Sequence, residues 1–281
     1  MRQYRHALML FIMLCTLFLA ACEGATSTTT STATTTTTAP VATTLNVFAA
    51  ASLKESFTAI ATRYQQAHPK ITIKLNFAGS QILEQQIASG APADVFASAD
   101  QTNMQKAVDA GLVGNSQVFV KNRLTVIIPA GNPGNINSLK DLSRKGVKID
   151  IGAPAVPAGK YSLQVLAKMA QSSNYGKAYE NAVKANFVSQ ETDVKAVVNK
   201  VQLGEVDAGF VYMTDVTAAV SNKIKMIDIP DNFNVIAQYP IAVTKSSAHS
   251  NEARAFVQYI LSPEGQAVLQ QHHFIIFNPY P

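Results

Sequence analysis

The segment Leu45-Asn46-Val47-Phe48-Ala49-Ala50-Ala51-Ser52-Leu53-Lys54-Glu55-Ser56-Phe57 decides how the chain is read. Its opening is an apolar run of strand length. From Ser52 onward Leu53, Phe57, Ile60, Ala61 and Tyr64 recur at helical spacing, so a strand passes into a helix at Ser52. His68-Pro69 stops that helix, Ile71 to Phe77 alternates as a second strand, and Ser80 opens a helix with Ile82, Leu83 and Ile87 inward. Gly90-Ala91-Pro92 closes it. Asp94 to Ser98 then reads as a buried strand, and Gln101 to Ala110 as a helix ended by Gly111. Strand and helix in strict alternation imply an α/β lobe with a mainly parallel sheet flanked by helices.

Further along, Val118 to Pro129 reads as one long strand, and the alternation then restarts. Ser138 to Lys145 is expected as a helix, Lys148 to Gly152 as a strand and Lys160 to Gln171 as a helix. Ala185 to Ser189 follows as a strand, Val194 to Leu203 as a helix with Val194, Val197, Val198 and Val201 on one face, and Ala208 to Tyr212 as a buried strand. Tyr239 to Val243 reads as a crossing strand, and Glu252 to Leu261 and Pro263 to Gln271 as two terminal helices folding back onto the first lobe. The expected body therefore has two lobes, 45–122 with 239–281 and 123–238, joined by two crossing strands and closing like a hinge.

Upstream, Arg2 and Arg5 precede an uncharged apolar run from Ala7 to Ala21 that is too short for a lone membrane span, the pattern of an export signal. Leu19-Ala20-Ala21-Cys22 resembles a bacterial lipobox, so residues 1–21 are expected to be removed and Cys22 to carry lipid. Thr26 to Thr38 is Thr and Ser except for Ala33, with nothing to bury, and 22–44 is expected to be a disordered tether. Of two cysteines, Cys15 leaves with the signal, which excludes a disulfide or a cysteine-based metal site in the mature chain. The formal charge of +5 falls to +3 once Arg2 and Arg5 are lost, and no basic run interleaved with aromatics suggests a nucleic-acid partner.

Four places share one device, in which a strand ends, a small or hydroxyl residue follows and an amphipathic helix starts: Ser52, Ser80, Ala158-Gly159 and Thr192-Asp193-Val194. Helix N-termini offer unpaired N–H groups and the positive end of the macrodipole, so several of them meeting at one cleft bind an anion without Lys or Arg. Taken singly, each Ser or Asp reads more simply as an N-cap.

The contexts of these junctions resemble the molybdate-binding proteins of ABC transporters. The carrying segments are Val47-Phe-Ala-Ala-Ala-Ser52-Leu53, Phe77-Ala-Gly-Ser80, Gly90-Ala-Pro-Ala-Asp94-Val95-Phe96-Ala-Ser-Ala-Asp100, Val156-Pro157-Ala158-Gly159-Lys160-Tyr161, Asp193-Val194 and Gly204 to Asp215, in that order. The resemblance runs from about Leu45 to the C-terminus. It implies the type II periplasmic-binding-protein fold and, residue by residue, an oxyanion held by the N–H and hydroxyl of Ser52 and Ser80, the N–H groups of Ala158 and Val194, and the phenol of Tyr212. Molybdenum or tungsten would be bound only through oxyanion oxygens at these residues, with no cofactor. Gly79, where some relatives have Ser, is expected to loosen its loop without removing the donor at Ser80.

Such a set suits a fully ionised dianion, which has acceptors only. Hydrogen phosphate would leave its proton unpaired, and sulfate would have to be excluded by cleft size. Asp94, Asp100 and Asp215 are expected outside the cleft, and Glu191 and Asp193 at a helix start, where the dipole explains them. The expected function is an extracytoplasmic, lipid-anchored, monomeric receptor that binds molybdate and tungstate and docks on a permease with its ATPase. A receptor for another oxyanion such as sulfate is the nearer alternative and a secreted hydrolase the more remote one. Gly-x-Ser-x-Gly is absent, and His68, His249, His272 and His273 lack metal-ligand spacing.

Overall fold

Strand β1 (Thr43–Ala50) is the spine of the first of two sheets. In the computed structural model, which describes residues 42–276, its residues Leu45 and Val47 to Ala50 are buried. It pairs in parallel with β2 (Ile71–Ala78) and β3 (Val95–Ala97), so that Val47 faces Leu75 on one side and Val95 on the other. Helices α1 (Lys54–Ala67) and α2 (Ser80–Ala88) make the crossings that link these parallel strands, and α3 (Gln101–Asp109) follows β3. The export signal, Cys22 and most of the tether expected in 22–44 lie outside the described residues, as do 277–281.

The second sheet contains β5 (Leu124–Pro129), β6 (Ile149–Gly152), β7 (Phe187–Glu191), β8 (Ala208–Tyr212) and β9 (Ile224–Asp228), in the order β7-β6-β8-β5-β9. Helices α4 (Pro157–Ala170), α5 (Gly176–Ala185) and α6 (Val194–Leu203) link its parallel strands. The first sheet is completed by β4 (Gln117–Asn122), β10 (Ala237–Val243) and β11 (Ile275–Ile276), all antiparallel to their neighbours, in the order β11-β4-β10-β3-β1-β2. Helix-linked strands are thus parallel, and β10 in the first sheet and β5 in the second run antiparallel to the helix-linked strands β3 and β8 beside them. Helices α7 (Ser250–Leu261) and α8 (Pro263–Gln271) return to pack on α1, and α7 also meets β10. The molecule is a two-lobed type II binding-protein fold.

Several local expectations are corrected. Val118 to Pro129 is not one strand: it breaks at Arg123, with β4 in one sheet and β5 in the other. At the break the Arg123 N–H donates to the Asn122 side-chain oxygen at 2.9 Å, a local bond that competes with a ladder. The expected helix at Ser138 to Lys145 is a 3-10 turn, Leu139–Ser143, started by a Ser138/Asp141 capping box. Helix α5 and the edge strand β9 were not anticipated. α5 buries Glu180, whose charge is matched by Lys177 and Lys184, and β9 carries Lys225 on an exposed position, so neither shows a simple apolar period.

Candidate functional site

Five strands, β1, β2, β6, β7 and β8, end at one crevice between the lobes, where open α/β sheets place their ligands. Ser52 and Ser80 come from the first lobe, and Ala158, Val194 and Tyr212 from the second. All five line a single cavity. It offers about 10 Å³ to the centre of a water-sized group, which leaves no room for an extended organic ligand.

The two serines are not helix caps. The residue before α2 is Gly79, which has no side chain to offer, and Ser80 is the first helical residue. Its Oγ accepts the Ala99 N–H at 2.9 Å. Ser52 sits in the 3-10 turn Ala51–Leu53, and its Oγ is 2.9 Å from the Tyr239 Oη. The residues before α1 and α4 are Leu53 and Val156, again without a side-chain cap. First-turn amides have no intrahelical acceptor, so these starts leave N–H groups for a ligand. At α6 the ordinary explanation does hold. Asp193 Oδ1 accepts the Lys195 and Ala196 N–H groups at 2.8 and 3.1 Å, leaving the Val194 N–H unclaimed by the cap.

Two glycines allow these backbones to meet. A Cβ on Gly159 would lie 2.0 Å from the Gly152 carbonyl oxygen, so only glycine lets the α4 N-terminus press against the end of β6. A Cβ on Gly79 would lie 2.4 Å from the Thr192 carbonyl oxygen of the other lobe. Gly79 therefore does not loosen its loop, as the sequence suggested. It permits the close approach of the two lobes, where Gln81 Nε2 also donates to the Thr192 carbonyl at 2.8 Å.

No Lys, Arg or His lines the cavity among the described residues, and Asp193 is its one charged residue. Tyr212 supplies the sharpest anomaly. It is 1% exposed, and its hydroxyl has no hydrogen-bond partner among the described residues. Its ring stands edge-on to Tyr239 at 5.8 Å, and the two hydroxyls influence each other electrostatically without forming a well-aligned bond. Burial holds the Tyr212 phenol well above its ordinary pKa, so it is a neutral donor.

The carboxylates expected outside the cavity are engaged elsewhere. Asp94 accepts the Asn46 N–H at 2.7 Å and the Ser247 hydroxyl at 2.6 Å. Asp100 caps α3 through the Asn103 N–H and meets Lys160 of the other lobe at 3.3 Å. Asp215 accepts the Tyr212 N–H at 3.0 Å and pairs with Lys195 at 3.2 Å, and burial raises its pKa. Glu191 pairs with Lys200 at 2.5 Å and accepts from Ser189. Sequence reasoning passed over Asn122, Tyr239 and Lys195. A buried Asn at the end of a strand was the one available signal for the first, and a Tyr within an apolar strand gave none for the second.

Fold and crevice together define an interlobe solute receptor. The family model described as "Bacterial extracellular solute-binding protein" matches residues 45–275, and the chain belongs to that family. It is 36% identical over 231 residues to the molybdate-binding protein ModA of Mycobacterium tuberculosis, covering 81% of this chain and 83% of that one. It is 33% identical over 272 residues to YvgL of Bacillus subtilis, provisionally named an ABC transporter substrate-binding lipoprotein, covering 94% and 96%. Among solved structures, the periplasmic molybdate-binding protein of Azotobacter vinelandii shares the fold, with a TM-score of 0.71 at 21% identity over 83% of this chain and all of that one. Among the described residues no helix is long and apolar enough to cross a membrane.

Proposed function

We propose that this protein binds molybdate, and tungstate with it, between its lobes and delivers the oxyanion to an ABC permease and its ATPase. The observation that carries the reading is the buried, unpartnered Tyr212 hydroxyl in a cavity ringed by uncapped helix starts from both lobes. A buried donor without a partner costs roughly 1–3 kcal/mol, and a dianion with acceptors only would satisfy it. The proposed ligand set is Ser52 and Ser80 through N–H and hydroxyl, Ala158 and Val194 through N–H, and Tyr212 through its phenol. The names of the relatives support the choice of molybdate.

Contacts from both lobes favour the closed form, and closure reports occupancy to the permease. The proposed receptor is a monomer held outside the cytoplasm by lipid on Cys22, after removal of 1–21, and set off the membrane by the Thr/Ser-rich segment. The mass of the mature N-terminal peptide from membranes tests the anchor, and an unmodified Cys22 refutes it. Calorimetry of ligand-free protein against molybdate, tungstate, sulfate and phosphate tests the receptor. Tight binding of the first two with weak phosphate binding is expected. Tighter binding of sulfate would move the assignment to a sulfate receptor, and no binding of any oxyanion would end it.

A further inference from the structure

We infer that Asn122 and Tyr239, which do not line the cavity, fix the Ser52 hydroxyl as a donor and so make the site reject protonated oxyanions. The inference rests on the anion-receptor reading and deepens it. A serine hydroxyl is ambivalent: it can donate to a ligand oxygen or accept from a ligand O–H. Left free to turn, Ser52 would discriminate poorly between sulfate and hydrogen phosphate.

The bonds around it remove that freedom. Asn122 Oδ1 accepts the Arg123 N–H at 2.9 Å, which fixes the orientation of the amide, since the flipped form would set N–H against N–H. Nδ2 therefore faces Thr214 Oγ1 at 2.8 Å and Tyr239 Oη at 3.3 Å. An amide nitrogen only donates, so Tyr239 accepts from it; among the described residues the one other hydrogen-bond partner of the phenol is Ser52 Oγ at 2.9 Å, and the phenolic proton goes there. Ser52 Oγ, accepting from Tyr239, has its own proton left for the cavity. All three residues are buried, Tyr239 completely, so water does not scramble the order. The Ala99 N–H imposes the same direction on Ser80. Asn122 and Tyr239 are positioning residues, and both lie on strands that cross between the lobes.

The test uses the full receptor and two anions of similar size and equal charge, sulfate and hydrogen phosphate near pH 8, with molybdate as the reference. Asn122→Asp places an acceptor where the amide donates. The chain then reverses: Tyr239 donates to the carboxylate, Ser52 donates to Tyr239, and a lone pair faces the cavity. Any charge repulsion acts alike on both dianions, so the ratio of their affinities isolates the proton. The phosphate-to-sulfate affinity ratio is expected to rise about tenfold, the worth of one hydrogen bond to a charged group. Tyr239→Phe, which removes the constraint without reversing it, is expected to raise the ratio several-fold in the same direction and serves if Asn122→Asp fails to fold. An unchanged ratio in a folded variant, with sulfate, phosphate and molybdate weakened in proportion, means a merely structural role and overturns the inference alone. A wild-type protein that binds no oxyanion overturns the receptor reading and the inference together.

Discussion

Lys195 of the second lobe reaches Glu55 of the first, its Nζ 2.8 Å from Oε2, while the same ammonium lies 3.2 Å from the buried Asp215. One cation thus serves two carboxylates of different kinds. Burial disfavours its charge, and Asp215 and Glu55 more than offset that, raising its pKa. Glu55 is about a third exposed, so Glu55→Gln should cost on the order of 0.5–1 kcal/mol of ligand affinity by weakening closure, with the melting temperature nearly unchanged. Lys195→Met strands Asp215 as an unpaired buried charge, and chemical denaturation should show a loss of roughly 3–5 kcal/mol. Equal stabilities for the two variants would contradict this division.

Tyr212→Phe should move affinity and stability in opposite directions. The ligand loses a donor worth about 1–3 kcal/mol, while the empty protein sheds an unsatisfied buried hydroxyl and melts slightly higher. Calorimetry and thermal unfolding of the same sample check both signs. A variant that is both weaker in binding and less stable would place the hydroxyl in the core's own bonding.

At Gly79 even one methyl group obstructs the lobes. Gly79→Ala pushes a carbon to within 2.4 Å of the Thr192 carbonyl, so the closed form should be disfavoured and affinity reduced by at least about tenfold, more than 1.4 kcal/mol. Small-angle scattering with saturating ligand should report a more open molecule than wild type. Wild-type affinity and compactness would mean that the loop yields.

Asp150, which does not line the cavity, gives the chain a pH-dependent weakness. It is fully buried in β6, its carboxylate has no hydrogen-bond partner among the described residues, and desolvation, with Glu191 adding to it, pushes its pKa up to about 6. The folded state therefore holds this proton more tightly than the unfolded chain. The stabilising contribution is complete below the ordinary value of 3.8 and is lost as pH rises through about 6. Asp150→Asn should stabilise the protein by roughly 2–3 kcal/mol at pH 8 and by almost nothing at pH 3.5. Denaturant midpoints at the two pH values test this, and a gain of equal size at both would exclude titration as the cause.

Much of the cavity could be read from residues because its parts are local. A strand end, a small residue and an amphipathic helix lie within a dozen positions, and the junctions at Ser52, Ser80, Ala158 and Val194 all have that form. What escaped reading was tertiary. The break at Arg123 depends on which sheet each flank joins, and the bond from Tyr239 to Ser52 spans 187 residues. The role of Gly79 depends on a carbonyl in the other lobe, so its meaning reversed once Thr192 was placed beside it. Helix α5 hid because its buried face includes Glu180, a residue type that signals solvent unless its cations are seen.

The order of strands bears on biogenesis. Everything in the second sheet, from Leu124 to Asp228, is one uninterrupted stretch, whereas the first sheet waits for β10 and β11 from the far end of the chain. A polypeptide emerging N-terminus first can therefore finish its inner half while the outer half still lacks β10, the strand between β3 and β4, and the edge strand β11. Proteolysis of a nascent chain truncated before Ala237 would then spare the inner half and degrade the outer one.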